Sequence, residues 1–513
     1  MIETQKMKYC TSLPELLSAG NDDHPAIGSP GQLDLNFKNL RVFITQTVAN
    51  LNSMGIGRND RVAIVLPNGP EMAVAFMAVS CGCTSAPLND AYVAEEYEFN
   101  LQDFRAKALI VQAHKNSPAI DVAQKLGIAI IDLHPTPECG AGTFTLTLRP
   151  GKKMNLIQGG WAKKDDVALI LHTSGTTSRP KIVPLSQANL CASAANIANT
   201  LQYTHRDRGL NIMPLFHIHG LVAGILSAIS AGSYISCTHG FNALKFFTWI
   251  DEVKPSWYTA VPTMHQTILT RAHHNAEIIK NHPLRFIRSS SSPMPTKVIA
   301  EIEACFKVPL IESYGMTEAS HQMCSNSLPP VLRKPGTVGL PAGPKVAIMD
   351  EHGKILGKNT IGEIVIQGPN VTKGYENNPK ANAENFTNGW FRTGDQGMMD
   401  DDGYITLTGR LKEIINRGGE KISPLEIDEV LMGHPAILQV VTFAMPHPKL
   451  GEEVGAVVVL REGKAATEKE IREFATLHLA DFKVPKKVIF MDEIPKGATG
   501  KLQRINLAKK LGL

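Results

Sequence analysis

Short runs of Val, Ile and Leu alternate along this chain with longer stretches whose apolar residues recur at helical spacing. Residues 61–66, 108–111, 128–132, 167–171 and 286–289 read as buried strands. Helical patterns occupy 71–80, 186–200, 221–230, 243–253 and 295–306. Strands that alternate with helices predict parallel sheets covered on both faces. Ligands in such folds sit at the carboxyl ends of strands, where 173–181 and 289–292 fall. From Val338 the texture changes to short strands at 346–350, 362–368 and 403–408, separated by glycine-rich turns that predict an antiparallel subdomain. After Arg410 a compact α+β pattern begins: helix 424–433, strands 438–444 and 454–460, helix 468–480. The expected fold is therefore α/β. A large N-terminal domain of stacked, mostly parallel sheets with a β-rich subdomain (1–410) precedes a small α+β C-terminal domain (411–513), with the boundary at 409–412.

Chemistry enters at Leu171-His172-Thr173-Ser174-Gly175-Thr176-Thr177-Ser178-Arg179-Pro180-Lys181. An apolar strand empties into small hydroxyl residues and a glycine, whose N–H groups and hydroxyls can close around phosphate oxygens while Lys181 adds charge. The second glycine and the Gly-Lys-Ser/Thr ending of the common P-loop are missing. A solvated Ser/Thr turn is the plain alternative for this segment alone.

Composition narrows the class. A chain of 513 residues exceeds what one core supports, so more than one domain is expected. Hydrophobic content of 43% and charged content of 19% are those of an ordinary globular protein. A net charge of +4 spread over this length argues against nucleic acid or an acidic membrane as partner. The eight cysteines are scattered, and the Cys81/Cys83 pair sits in an apolar stretch that suits packing better than metal. With no apolar signal region, no run of membrane-spanning length and no Ser-Lys-Leu ending, cytoplasm is the expected compartment. The oligomeric expectation is a monomer or homodimer.

Further segments extend the constellation. Met213-Pro214-Leu215-Phe216-His217-Ile218-His219-Gly220 brings two histidines beside a glycine. Glu312-Ser313-Tyr314-Gly315-Met316-Thr317-Glu318 offers a ring, hydroxyls and a carboxylate within one turn. Trp390-Phe391-Arg392-Thr393-Gly394-Asp395 ends in an acid, and Gly409-Arg410-Leu411-Lys412-Glu413 precedes Asn416-Arg417-Gly418-Gly419-Glu420-Lys421. Pro495-Lys496-Gly497-Ala498-Thr499-Gly500-Lys501 presents a lysine from a Gly/Thr loop. In this order the segments resemble the acyl-adenylate-forming superfamily: acyl-CoA synthetases, luciferases and adenylation domains of peptide synthetases. The resemblance spans essentially the whole chain.

That resemblance implies an ATP-dependent acid–CoA ligase with ATP, Mg²⁺ and coenzyme A as cofactors, and a small C-terminal domain that rotates between two half-reactions. By the family's pattern Thr173, Ser174, Gly175, Thr176, Thr177 and Lys181 envelop the β,γ-phosphates, and Thr317 contacts the α-phosphate. Glu318 holds the metal, Tyr314 stacks on adenine within Glu312–Met316 of the motif, and Asp395 accepts from the ribose hydroxyls. Arg410 anchors ribose and phosphate, and Lys501 bridges carboxylate and α-phosphate as the catalytic lysine. Gly418, Gly419 and Glu420 line the pantetheine path, Lys412 is the hinge, and His217 contacts or gates the acid. Two departures stand out: Ser178 and Ile182 replace the usual glycines, and Ile182 must avoid positive φ.

Arg288-Ser289-Ser290-Ser291-Ser292, Glu318-Ala319-Ser320-His321-Gln322-Met323 and Ser325-Asn326-Ser327-Leu328-Pro329 resemble the oxalate–CoA ligase branch of plants and fungi. The Thr-Ser-Arg-Pro-Lys form of the phosphate loop matches it too. The residues agree with that reading, because long-chain or aryl acids need apolar lining, whereas His217, Ser291, Ser292 and His321 are polar. A small dicarboxylate keeps a second charge that protonated or donor histidines can pair. Alternatives are a ligase for another short-chain, fatty or aromatic acid, a carrier-loading adenylation enzyme (with no carrier module after Lys501), a non-catalytic nucleotide binder, or a luciferase-type oxygenase.

Overall fold

The computed structural model describes residues 10–151, 154–173, 180–497 and 500–513. Arg61–Val65 forms as expected, with Val62, Ala63 and Ile64 fully buried, the mark of a strand covered on both faces. It lies mid-way in a seven-stranded sheet ordered Phe144–Leu148, Ala129–Pro135, Ala108–Gln112, Arg61–Val65, Thr84–Pro87, Val167–His172, Ile182–Ser186. The inner strands are parallel and the two edges antiparallel.

A nine-stranded sheet carries the other half of the N-terminal region. Its order is Leu340–Pro341, His321–Ser325, Leu310–Met316, Phe286–Ser289, Trp257–Ala260, Arg208–Asn211, Tyr234–Cys237, Pro25–Gly28, Leu35–Asn36. Helix Pro70–Gly82 has no polar face, which predicts burial all round. It touches Arg61–Val65, Thr84–Pro87 and Val167–His172 of one sheet and Tyr234–Cys237 of the other. Cys81 and Cys83, read as packing residues, are fully buried here. Helix Gln187–Thr200 likewise contacts strands of both sheets.

Two elements depart from the periodicity. The helix expected over 221–230 begins earlier as a π-helix, His219–Leu226, before the α-turn Ser227–Ser230. Apolar spacing cannot separate 3.6 residues per turn from a wider coil, and the His219 ring is held at the first position by partners on two other segments. The strand expected over 403–408 is Ile405–Arg410, because Gly403 turns the chain at φ +90°.

The antiparallel subdomain joins Lys345–Met349, Gly362–Gln367, Trp390–Met399, Phe386–Thr387 and Ile405–Arg410. Beyond Arg410 the strands enter a different sheet, built from Glu420–Ile422, Ile415–Arg417, Gly451–Leu460, Ile437–His447 and Lys487–Phe490. Helices Pro424–Met432 and Glu468–His478 pack on it. This α+β unit lies against the nine-stranded sheet's flank: Gln266 Nε2 donates to the Leu438 carbonyl at 3.3 Å, and Thr263 Oγ1 to the Gly500 carbonyl at 2.8 Å. Among the described residues no helix is long and apolar enough to cross a membrane.

Candidate active site

Segment 312–318 is extended rather than a turn. Glu312–Met316 ends the strand Leu310–Met316, and Thr317 opens the 3₁₀ turn Thr317–Ala319. Its groups therefore meet the rest of the site through sheet register. A Cβ at Gly315 would stand 1.9 Å from the His321 carbonyl oxygen, so only glycine lets strand His321–Ser325 pair this closely. Tyr314 is buried and its hydroxyl donates to Asp395 Oδ2 at 2.5 Å. Asp395 and Arg410 are cross-strand partners, with Arg410 Nε 3.1 Å from Asp395 Oδ1. Burial raises the Asp395 pKa, opposed by the Arg410 charge and the Tyr314 hydroxyl. Glu312 is buried, accepts from the Gly336 N–H at 3.2 Å, and is pushed up to about 8 by desolvation. Ser313 Oγ donates to the Ser289 carbonyl, tying this strand to the serine run.

Glu318 is a third buried carboxylate of the site. Tyr375 OH donates to its Oε1 at 2.7 Å, and the Lys181 ammonium lies 4.5 Å over the Tyr375 ring. Desolvation raises the Glu318 pKa against the pull of Tyr375, Arg410 and Lys181. Thr173 N–H donates to the Lys181 carbonyl at 2.9 Å and Lys181 N–H to Thr173 Oγ1 at 3.1 Å, closing the neck of the phosphate-type loop. Ser174, Gly175, Thr176 and Thr177 lie outside the described residues. Ile182, the bulky departure, starts the extended strand Ile182–Ser186, outside the region of positive φ.

Lys501 reaches this cluster from the C-terminal unit. Burial and the nearby Arg410 charge lower its pKa to about 8, while Asp395 and Glu318 act in the opposite direction. A lysine that must be protonated to bridge two anions loses that role as pH rises through its pKa. kcat/KM for adenylation should therefore fall above about pH 8, and the limb should move to higher pH in kcat, since bound anions restore the proton. An adenylation kcat/KM that stays flat through this region would count against a charged Lys501 as the bridging group.

The candidate acid pocket is polar and backed by histidines. His219 Nε2 is 2.6 Å from Thr259 Oγ1 and its Nδ1 is 3.0 Å from Ser291 Oγ. His321 is buried, its Nε2 3.5 Å from Ser290 Oγ and its Nδ1 without a partner among the described residues. The His219 and His321 rings are 5.1 Å apart. His217 is half-buried, and the His219 N–H points at its Nδ1. Ser292 Oγ donates to the Ser291 carbonyl. Ser291, Ser320 and His321 all hold positive φ (+78°, +49° and +97°), backbone strain gathered at one spot. Burial, then the Lys501 charge, pushes His217 down to about 3; burial first and neighbouring cations next hold His219 and His321 well below the usual range. Of the two states expected for these histidines, the structure favours the neutral donor.

The hairpin Ile415–Arg417/Glu420–Ile422 turns through Gly418 (φ +59°) and Gly419 (φ +100°), as a two-residue hairpin loop demands. A Cβ at Gly419 would meet nothing within 4 Å, and Gly418 N–H binds the Leu450 carbonyl of the same unit. This arrangement thus gathers Lys501, Asp395, Arg410 and Glu318 and leaves Gly418, Gly419 and Glu420 outside the cluster. Lys412 lies in the exposed turn between the two sheets.

Residues 18–376 match the family model described as AMP-binding enzyme, and 426–501 match the AMP-binding enzyme C-terminal domain. An oxalate–CoA ligase of Arabidopsis thaliana is 44% identical over 492 residues, covering 94% of both chains. An oxalate–CoA ligase of Saccharomyces cerevisiae is 42% identical over 476 residues, covering 88% of this chain and 87% of that protein. The crystal structure of ATP-bound MatB from Rhodopseudomonas palustris superposes with a TM-score of 0.86 at 28% identity, covering 98% of each chain. The chain belongs to the AMP-binding enzymes.

It is an AMP-forming acid–CoA ligase of that adenylate-forming family, for which ATP, Mg²⁺ and CoA are general. Among the described residues no three metal-binding side chains cluster. Mg²⁺ takes one or two carboxylates plus phosphate oxygens rather than a protein cage. Glu318, a lone carboxylate with one oxygen engaged by Tyr375, is the residue that would hold it. Sequence reasoning does not pick out Tyr375 or Thr259, and it holds His219 and Arg288 within motifs without placing them in the site. The structure sets Tyr375 on Glu318, and His219 on Ser291 and Thr259. Tyr375 follows Gly374 in a polar stretch, and nothing local marks it as the link between Lys181 and Glu318.

Proposed function

We propose that this acid–CoA ligase activates oxalate, or an equally small dicarboxylate, as acyl-AMP and passes the acyl group to CoA. The observation that carries the substrate is the buried polar lining: His219 on Ser291 and Thr259, and His321 with an unpartnered ring nitrogen beside Ser290. An apolar acyl chain would strand those groups, which is unfavourable. The likeness to oxalate–CoA ligases supports the same reading.

In the first step an acid oxygen attacks the α-phosphorus of ATP, the α–β bridging bond breaks, and pyrophosphate leaves. Lys501 and Arg410 offset the crowding of anions, Thr317 contacts the α-phosphate, and Thr173, Ser174, Gly175, Thr176, Thr177 and Lys181 hold the leaving phosphates. Glu318 would hold the Mg²⁺, which would supply charge to neutralise the phosphates. Asp395, beside Tyr314, accepts from the ribose, and Glu312–Met316 shapes the adenine side. In the second step the CoA sulfur attacks the acyl carbon, the carbon–oxygen bond to phosphate breaks, and AMP leaves. Residues 411–513 would swing about Lys412 between the steps, carrying Lys501 away and Gly418, Gly419 and Glu420 in. His217, Ser291, Ser292 and His321 orient the acid.

A panel of oxalate, malonate, acetate, hexanoate and coumarate, read as acid-dependent AMP and pyrophosphate formation with CoA, should favour oxalate. His321→Ala should lower kcat/KM for oxalate about 10- to 100-fold, the loss of a hydrogen bond to a charged group, and leave the KM for ATP unchanged. ADP and inorganic phosphate as products would overturn the two-step scheme. Full oxalate activity in His321→Ala would remove the physical basis of the substrate assignment.

A further inference from the structure

Arg288 is wholly buried, at 0% exposure, in the middle of the nine-stranded sheet. Its Nη2 donates to Gln322 Oε1 at 3.2 Å. Nε and Nη1 have no partner among the described residues, and no carboxylate among them pairs with this charge. Burial lowers its pKa to about 10, so it remains a cation at neutral pH. An uncompensated buried guanidinium is strongly unfavourable, and its rigid fork of donors suits a carboxylate.

Its position is set by register. Arg288 is the cross-strand partner of Thr259, so both side chains leave the same face of the sheet. On that face the Thr259 hydroxyl meets His219, which meets Ser291. Gln322, the partner of Arg288, follows His321 in the chain and donates to Thr200 Oγ1 and the Ala342 carbonyl. The guanidinium therefore leaves the sheet on the same face as Thr259, whose hydroxyl holds the His219 ring. The Arg288 and Lys501 charges both add to the burial that lowers the titration of His219 and His321.

We propose that Arg288 is the specificity-determining cation of the acid pocket, a fixed positive charge distinct from Lys501 that selects acids bearing a second carboxylate. The inference rests on the dicarboxylate reading above. Lys501 serves the reacting carboxylate, and Arg288 compensates the one that does not react. The neutral histidines of the pocket donate hydrogen bonds but carry no charge, so discrimination between dianion and monoanion falls to the guanidinium. A monocarboxylic acid leaves that charge unanswered and is disfavoured on that account.

The test compares oxalate with glyoxylate, which has nearly the same size but one carboxylate, by acid-dependent pyrophosphate release. In Arg288→Gln, kcat/KM for oxalate should fall about 10- to 100-fold while glyoxylate changes little, and Arg288→Lys should keep most of the preference. Gln322→Glu supplies an internal carboxylate to the buried guanidinium and should lose oxalate preference as Arg288→Gln does. It decides the matter if Arg288→Gln does not fold. A parent enzyme inactive on every dicarboxylate would overturn the dicarboxylate reading itself. A parent active on oxalate whose oxalate-to-glyoxylate ratio survives Arg288→Gln or Gln322→Glu would overturn the role of Arg288 alone. Equal loss of both acids in Arg288→Gln, with a lowered melting temperature, would make the residue structural and overturn it as well.

Discussion

Lys501→Ala is expected to abolish acyl-adenylate formation, by on the order of 10²–10³-fold, while supplied acyl-AMP and CoA still yield thioester. The lysine stands between Asp395, Glu318 and Arg410 in the present arrangement, and its charge is depressed by burial rather than spent on an ion pair. Arg410 remains to offset part of the repulsion between an acid and the α-phosphate, but the first half-reaction would lose its bridging group. Gly419→Leu should do the reverse. At φ +100° the substitution is strained, but its Cβ meets nothing within 4 Å here, so adenylation proceeds in this orientation. Thioester formation is blocked when the hairpin turns inward to the CoA path. Lys412→Pro, in the exposed turn between the sheets, should slow passage from one step to the other by fixing φ. Each half-reaction assayed alone for these variants is the measurement. Equal loss of both steps in Lys501→Ala and Gly419→Leu would mean that residues 411–513 do not alternate.

Glu318→Gln should lower adenylation by a comparable factor, roughly 10²–10³-fold, and raise the Mg²⁺ concentration needed for half-maximal rate. The amide keeps an oxygen for the Tyr375 hydroxyl but removes the negative charge that would hold the metal. Folding should not suffer. Burial raises the Glu318 pKa, so the folded state holds its proton more tightly than the unfolded chain, and stability falls as pH rises through that range. The glutamine escapes that loss, and its melting temperature at neutral pH should equal or exceed the parent's. Tyr375→Phe should cost less, about 10-fold, because it deletes one hydrogen bond and leaves the charge. Full adenylation by Glu318→Gln at unchanged Mg²⁺ dependence would exclude Glu318 as the metal-holding carboxylate.

The sheets were legible because strands buried on both faces must be apolar at consecutive positions, as Val62, Ala63 and Ile64 are. Helix Pro70–Gly82 was legible for the same reason, and the family from the order of short motifs along the chain. Local sequence also marked Lys501, Asp395, Glu318 and His321, each beside a glycine or hydroxyl cluster that breaks periodicity. Their distances did not follow from that. The Asp395–Arg410 pair depends on antiparallel register, and the Tyr314–Asp395 bond on the contact of two separate sheets. Spacing could not tell a π-helix from an α-helix at His219–Leu226, because the wider coil goes with side-chain bonds to Thr259 and Ser291. Arg288 shows the division most clearly. In one dimension it is a charged residue beside a serine run, to be expected near water. In three dimensions it is a buried cation whose Nε and Nη1 find no partner among the described residues. Periodicity and motif order are properties of neighbouring residues, so the sequence by itself determined the fold class and the reaction family. Register, desolvation and the meeting of segments far apart in the chain arise only on packing, so the tertiary structure alone decided which groups lie buried together and with what charge.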